Sequence, residues 1–87
     1  MAYIAELVWD DWNLEHIARH NIEPGDVEEI ILNPHYTRRA RGKAYLIVGQ
    51  TDGGRYLSVV VVPRGGNMYY VVTARDATRE ERRQFDR

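Results

Sequence analysis

Residues 43–62 read KAYLIVGQTDGGRYLSVVVV, and this stretch decides the fold. Two runs rich in β-branched and aromatic residues, about Lys43 to Gln50 and Arg55 to Val62, flank Asp52-Gly53, a strong two-residue hairpin signal. Pro63 helps to end the second run, Gly65-Gly66-Asn67 supplies the next turn, and about Met68 to Ala74 makes a third strand. Three strands joined in this way form an antiparallel meander. With Asp52-Gly53 as the tight turn, Val48 faces Leu57 and Leu46 faces Val59. With residues 64–67 as the second loop, Val61 faces Tyr70 and Val59 faces Val72. Side chains alternate along a strand. The expected core face is therefore Leu46, Val48, Leu57, Val59, Val61, Tyr70, Val72 and Ala74. The opposite face collects Lys43, Tyr45, Ile47, Tyr56, Ser58, Val60, Tyr69, Val71, Thr73 and Arg75. A slip of one residue would exchange the two faces. Aromatic rings between cations suit single-stranded RNA, because bases stack on rings while Arg and Lys meet phosphates. The same mixture also serves an ordinary half-exposed sheet, since Tyr and Thr are good strand formers.

Outward from the meander, the N-terminal third reads as helical. Tyr3 to Val8 can form a short strand, and Asp10 or Asp11 then caps a helix to about His20 with Trp12 and Ile17 buried. Asn21 suits a left-handed stop. A second helix begins near Pro24, its first turns rich in acids, and buries Val27, Ile30 and Ile31 before Asn33-Pro34 ends it. Residues 34–42 read as a polar loop. At the far end Thr78 and Glu81 form a Thr-x-x-Glu capping box that starts a last helix. The order is β, α, α, β, β, β, α, an α+β domain.

At 87 residues the expectation is one domain, 1–87, because a second core would not fit. The chain has no Cys, which excludes a disulfide framework, Cys-ligated zinc and a thiol nucleophile, and makes a reducing cytoplasm the default. No apolar run nears the roughly 20 residues of a membrane span, and no signal peptide opens the chain. Taken as a total, the net charge of −1 argues against a polyanionic partner. Split by position, it does not. Residues 1–33 hold eight acids and one base (−7), and residues 34–87 hold eleven bases and five acids (+6). Of the twelve bases only Lys43 is Lys, and Arg is the cation that binds phosphate bidentately. Either the two parts neutralise each other in the fold, or the basic remainder forms an anion-binding face.

Several residues could carry chemistry. Arg75 stands where the last strand gives way to a helix N-terminus, a place for a phosphate clamp or for pairing with Asp76, Glu80 or Glu81. Arg38, Arg39 and Arg41 with Tyr36 form a basic loop. His16 and His20, four residues apart on one helix, have metal-ligand spacing but no evident third ligand, so they read first as helix-surface or capping histidines; a His can also act as acid or base. Ser58 has no evident activating partner, and no Gly-rich phosphate loop or cofactor motif is present.

Together these segments resemble the BrnT toxins of prokaryotic type II toxin–antitoxin systems. Trp9-Asp10 is followed by Arg19-His20 and by Val27-Glu28-Glu29-Ile30. Residues 49–57, GQTDGGRYL, are similar to the family's Gly-x-Thr-x-x-Gly-Arg-x-Leu hairpin. Residues 73–83, TARDATREERR, are similar to its Ser-Ala-Arg-x-Ala-x-x-x-Glu-Arg ending. The chain departs from the family on the first helix, with Asn13 at the usual Lys spacing and Ile17 at the usual Asn spacing, and before the first long strand, where Gly42-Lys43-Ala44 stands in place of the family's Glu-x-Arg element.

The resemblance implies a RelE-like fold and a metal-independent endoribonuclease that cleaves mRNA, on or off the ribosome, to block translation. It also implies a BrnA-like ribbon-helix-helix antitoxin, with operator DNA bound only through that antitoxin. Cleavage by the 2′-hydroxyl needs a base, an acid and cations for the developing charge. By motif, Arg75 is expected to stabilise charge, Arg55 to act as a second cation, and Glu81 or His20 to move protons. Lys43, Tyr45, Tyr56, Tyr69, Arg38, Arg39 and Arg41 are the expected RNA contacts. The alternative is a non-catalytic member of the same fold that binds RNA or protein. The toxin reading makes a spatial claim: Lys43, Arg55 and Arg75 share one open face, away from the acids of residues 1–33.

Overall fold

The computed structural model describes Ile4 and residues 6–87. The elements are β1 (Glu6–Val8), α1 (Asp11–Ala18), α2 (Pro24–Leu32), β2 (His35–Arg39), β3 (Tyr45–Gln50), β4 (Tyr56–Pro63), β5 (Met68–Asp76) and α3 (Arg79–Asp86). The α+β class and the relative order of the expected elements hold. Tyr3 and Ala5, part of the expected first strand, lie outside the described residues.

The five strands form one sheet in the order β1-β5-β4-β3-β2, antiparallel except that β1 runs parallel to β5. β2 corrects the reading of residues 34–42 as a loop. Tyr36 pairs with Val48 and Arg38 with Leu46, so a polar sequence is held as an edge strand by its neighbour's backbone. An edge strand needs no apolar alternation on its solvent side, and charged residues there discourage pairing with other chains.

Register is the second correction. The first hairpin loop has three residues, not two. Thr51 N–H donates to the Arg55 carbonyl at 2.9 Å, and Gly54 takes φ +99°, a conformation that favours glycine. Val48 therefore faces Ser58, and Ile47 faces Val59. In the second hairpin Val61 faces Val71 instead of Tyr70, and a bulge between Val60 and Val61 places Val59 opposite Ala74 instead of Val72. The face toward α1 and α2 carries Ile47, Leu57, Val59, Val61, Tyr69, Val71 and Ala74, packed with Ile17, Ile22, Val27 and Ile30. Leu46 and Val48 stay buried as expected, but on the other face, which α3 partly covers.

Two motif residues are explained by this packing. A Cβ on Gly49 would lie 2.8 Å from Cγ2 of buried Ile30, so α2 approaches the sheet only over a glycine. Thr51 Oγ1 accepts from the Arg55 N–H at 3.1 Å and closes the turn. On α1, Asn13 rather than Trp12 is the buried partner of Ile17, and Trp12 is 57% exposed. The Asn13 amide donates to the carbonyls of Val8 and Val71, both at 3.0 Å, and its Oδ1 accepts from Asp10 N–H at 2.8 Å. A polar side chain satisfied at each group can be buried without penalty, and here it ties α1 to β1 and β5. Asn21 takes φ 59°, the left-handed stop its type allows.

Candidate functional site

The face of the sheet turned to α3 is built from cross-strand rows. Arg75, Ser58, Val48 and Tyr36 form one row, and Thr73, Val60, Leu46 and Arg38 form the next. α3 starts directly after β5, and its capping box fixes how it starts. Thr78 Oγ1 accepts from the Glu81 N–H at 3.2 Å, and Glu81 Oε1 accepts from the Thr78 N–H at 2.9 Å. That box delivers Glu81 onto the row of Ser58 and Arg75. Arg75 Nη1 donates to Oε1 at 2.8 Å and Nη2 to Oε2 at 2.9 Å, a two-pronged pair. Ser58 Oγ donates to Oε1 at 2.7 Å.

Glu81 is 7% exposed, and four donors serve it. The Arg75 guanidinium, opposed in part by burial and helped by Ser58 and Thr78, pulls its pKa down to about 2. The same contact raises the already high pKa of Arg75. The pair is thus charged throughout the physiological range. The Arg75 side chain keeps 39% of its surface exposed against 9% for Glu81, so the carboxylate is the buried holder and the guanidinium the accessible group. Sequence reasoning assigned no role to Ser58; its cue is a lone hydroxyl inside an apolar strand, directly opposite Arg75 once the register is right.

Around this pair, Tyr56 is half-buried, with Arg82 stacked 4.2 Å over its ring and Phe85 edge-on at 5.9 Å. Thr73 and Val60 remain half-exposed on the part of the face that α3 leaves open, and Arg38 is exposed at its edge. Arg38 makes no ion pair among the described residues.

Arg55 is elsewhere. Its Nε donates to Asp76 Oδ1 at 2.8 Å, its Nη1 to the Asn21 carbonyl at 2.6 Å, and its Nη2 to the His20 carbonyl at 2.9 Å. Asp76 pairs in register with core residue Leu57, so Arg55 lies on the α1 side of the sheet and fastens the end of that helix. Its guanidinium lowers the pKa of Asp76. His20 belongs to this side as well, its ring 6.2 Å from that of His16, which stacks on Trp12 at 4.9 Å. Lys43 is exposed in the turn before β3, five positions from Val48 of the Arg75 row, roughly 16 Å along a strand.

The expectation that Lys43, Arg55 and Arg75 share one open face is therefore not met. The register also removes two expected RNA contacts. Tyr69 is 7% exposed in the core, and Tyr45 packs edge-on against it on the α1–α2 side, under Arg39. Arg41 is exposed in a turn beyond β2. Among the described residues, the acids of residues 1–33 do not pair with Lys43, Arg55 or Arg75 either. Among the described residues, the only acid of residues 1–33 in an ion pair is Glu15, bound to Arg19 of its own helix. Of the cations after residue 33, Arg55, Arg75 and Arg83 are in ion pairs among the described residues, with Asp76, Glu81 and Glu80. The charge cancellation is not made of pairs between the two segments.

Comparison with known proteins gives three findings. Residues 14–76 match the family described as Domain of unknown function (DUF4258). No curated protein matches the sequence. Among solved structures, the fold is similar to that of the ribonuclease toxin BrnT of Brucella abortus. The two are 19% identical, the match covers 85% of this chain and 97% of that one, and the TM-score is 0.69.

Proposed function

For a chain that belongs to the DUF4258 family and has the fold of a ribonuclease toxin, we propose a toxin of the type II kind that cleaves mRNA without a metal and thereby inhibits translation. The observation that carries this reading is the Arg75–Glu81 pair, which holds a half-exposed guanidinium beside an open stretch of sheet. When a 2′-hydroxyl attacks the adjacent phosphate, charge builds on the phosphate oxygens. A guanidinium already fixed in place stabilises that charge without reorganising. Glu81 is the positioning residue in this scheme. A carboxylate with a pKa of about 2 and four donors has no proton to give near neutrality and is a poor acceptor of one. Arg55 is assigned to the scaffold, since each of its nitrogens is already bound. RNA would lie along the Arg75 and Thr73 rows, with Arg38, Arg82 and the edge of Tyr56 as contacts. Arg39, Arg41 and Lys43 stand farther out. His20 stands with Arg55 on the α1 side of the sheet, so none of the residues expected to move protons is left free beside Arg75. In this reading the protein acts in the cytoplasm, and a BrnA-like ribbon-helix-helix antitoxin neutralises it and provides the contact with operator DNA.

A second reading has its own observation. Glu81 and Arg55, two of the four groups expected to act on RNA, are held by internal bonds. That arrangement suits a non-catalytic relative that binds RNA or protein. Primer extension on mRNA incubated with the purified protein, with and without ribosomes, separates the two. Discrete cleavage products that fall by two orders of magnitude or so in Arg75→Lys support the nuclease. RNA retained in a gel shift without cleavage supports the binding module.

A further inference from the structure

The α1–α2 layer carries a second feature, unrelated to Arg75. Between α2 and β1 lies a groove of about 270 Å³ lined by Ile4, Leu7, Ile31 and Leu32, with Glu6 and Glu28 among its walls. Leu32 is 85% exposed, the most exposed of the large apolar side chains among the described residues. Among the described residues neither Glu6 nor Glu28 is in an ion pair, and Glu28 accepts from the Trp9 indole N–H at 3.3 Å. No cation among the described residues lies within ion-pair distance of either carboxylate, so this wall keeps its negative charge.

We propose that the groove is a docking site for a basic amphipathic helix of a partner protein. Its apolar residues, at i, i+3 or i+4 and i+7, would cover Leu32, Ile31 and Leu7, and its Lys or Arg residues would reach Glu6 and Glu28. Charge selects this occupant. A second copy using the same groove across a two-fold axis would bring Glu6 and Glu28 against their own counterparts. Nucleic acid and anionic membranes are repelled by the same carboxylates. The groove lies on the α1–α2 side of the sheet, whereas Arg75 faces α3, so the partner and RNA can be bound together. The proposal stands whether or not RNA is cleaved.

The test uses the full chain and two synthetic helical peptides with the same leucine spacing, one with Lys and one with Glu at the flanking positions, followed by fluorescence anisotropy. The Lys peptide should bind about tenfold or more tightly than the Glu peptide, with a preference that shrinks as salt rises. Leu32→Asp, at a site exposed enough to leave folding intact, should weaken the Lys peptide about tenfold or more. Glu6→Lys with Glu28→Lys should invert the preference. Equal binding of the two peptides, no binding of either, or no effect of Leu32→Asp overturns the proposal. So does a dimer of the free protein that Leu32→Asp dissolves, or NMR contacts from residues 1–3 to Leu32, which would mean the chain fills its own groove.

Discussion

Arg75 and Arg55 both sit in motif segments, and each is held by an acid of the C-terminal part, yet their environments are opposite. Arg75 is gripped on one side by a buried carboxylate and presents the rest of its surface to an open sheet face. Arg55 spends its nitrogens on one carboxylate and two backbone carbonyls, and joins the end of α1 to the end of β5. The residue type and the motif are the same kind of signal in both cases. Each guanidinium makes three hydrogen bonds, so what separates an accessible cation from a tether is which elements its partners join and on which face of the sheet it stands.

The sharpest way to break this comparison is to remove each side chain in turn and measure RNA cleavage per folded molecule. Arg75→Ala should cost about 10²–10³-fold, whereas Arg55→Ala should leave the folded fraction's activity within about twofold. Equal losses would place both cations in the chemistry and undo the assignment. Arg75→Ala also strands the Glu81 carboxylate in a buried site, at a cost of about 3–5 kcal/mol, so circular dichroism must establish the folded fraction. Arg75→Lys keeps a charge near Glu81 and should separate the catalytic loss from the loss of stability.

Acid provides the next test. The pKa of Glu81 falls from 4.5 to about 2 on folding, so its contribution is fully present above about pH 4.5 and is lost as the pH drops toward 2. The size is roughly 3 kcal/mol. Urea midpoints measured across that window should fall with acid, and Glu81→Gln, less stable at neutral pH, should show a flatter profile there. An unchanged slope would mean that Glu81 is solvated and Arg75 unsupported.

Smaller effects sharpen the picture of the scaffold. Arg55→Ala should lower stability by about 1.5–3 kcal/mol through the hydrogen bonds it makes to α1, read as a lower urea midpoint. Amide exchange should quicken first at residues 17–22. Thr78→Ala should cost about 1 kcal/mol by removing the cap of α3. If it also loosens Glu81, cleavage will drop further than stability does.

Much of this was legible in the chain. The caps at Asp10 and Thr78, the left-handed Asn21, the Pro24 start of α2 and the two glycine turns are local chemistry, and local chemistry is written residue by residue. The motif positions were legible too, but what they do was not. Gly49 makes room for Ile30, Thr51 closes a turn and Arg55 fastens a helix, so most of the hairpin motif is scaffold. Asn13, which departs from the family pattern, proves to be a buried clamp, a role that depends on carbonyls of β1 and β5 brought to it by the fold.

By itself, then, the sequence determined the kinds and order of the elements, the caps and turns between them, and the division into an acidic segment and a basic one. The tertiary structure decided the faces. Side chains alternate with a period of two, so one extra residue in the first loop moved Tyr45 to the core side, one residue fewer in the second moved Tyr69, and the bulge at Val60/Val61 put Arg75 opposite Ser58 under α3. A single-residue count in a turn is nearly free in energy locally, but across a sheet it exchanges inside for outside. Alternation alone already separates Arg55 from Arg75; the fold added the partners that bind each of them.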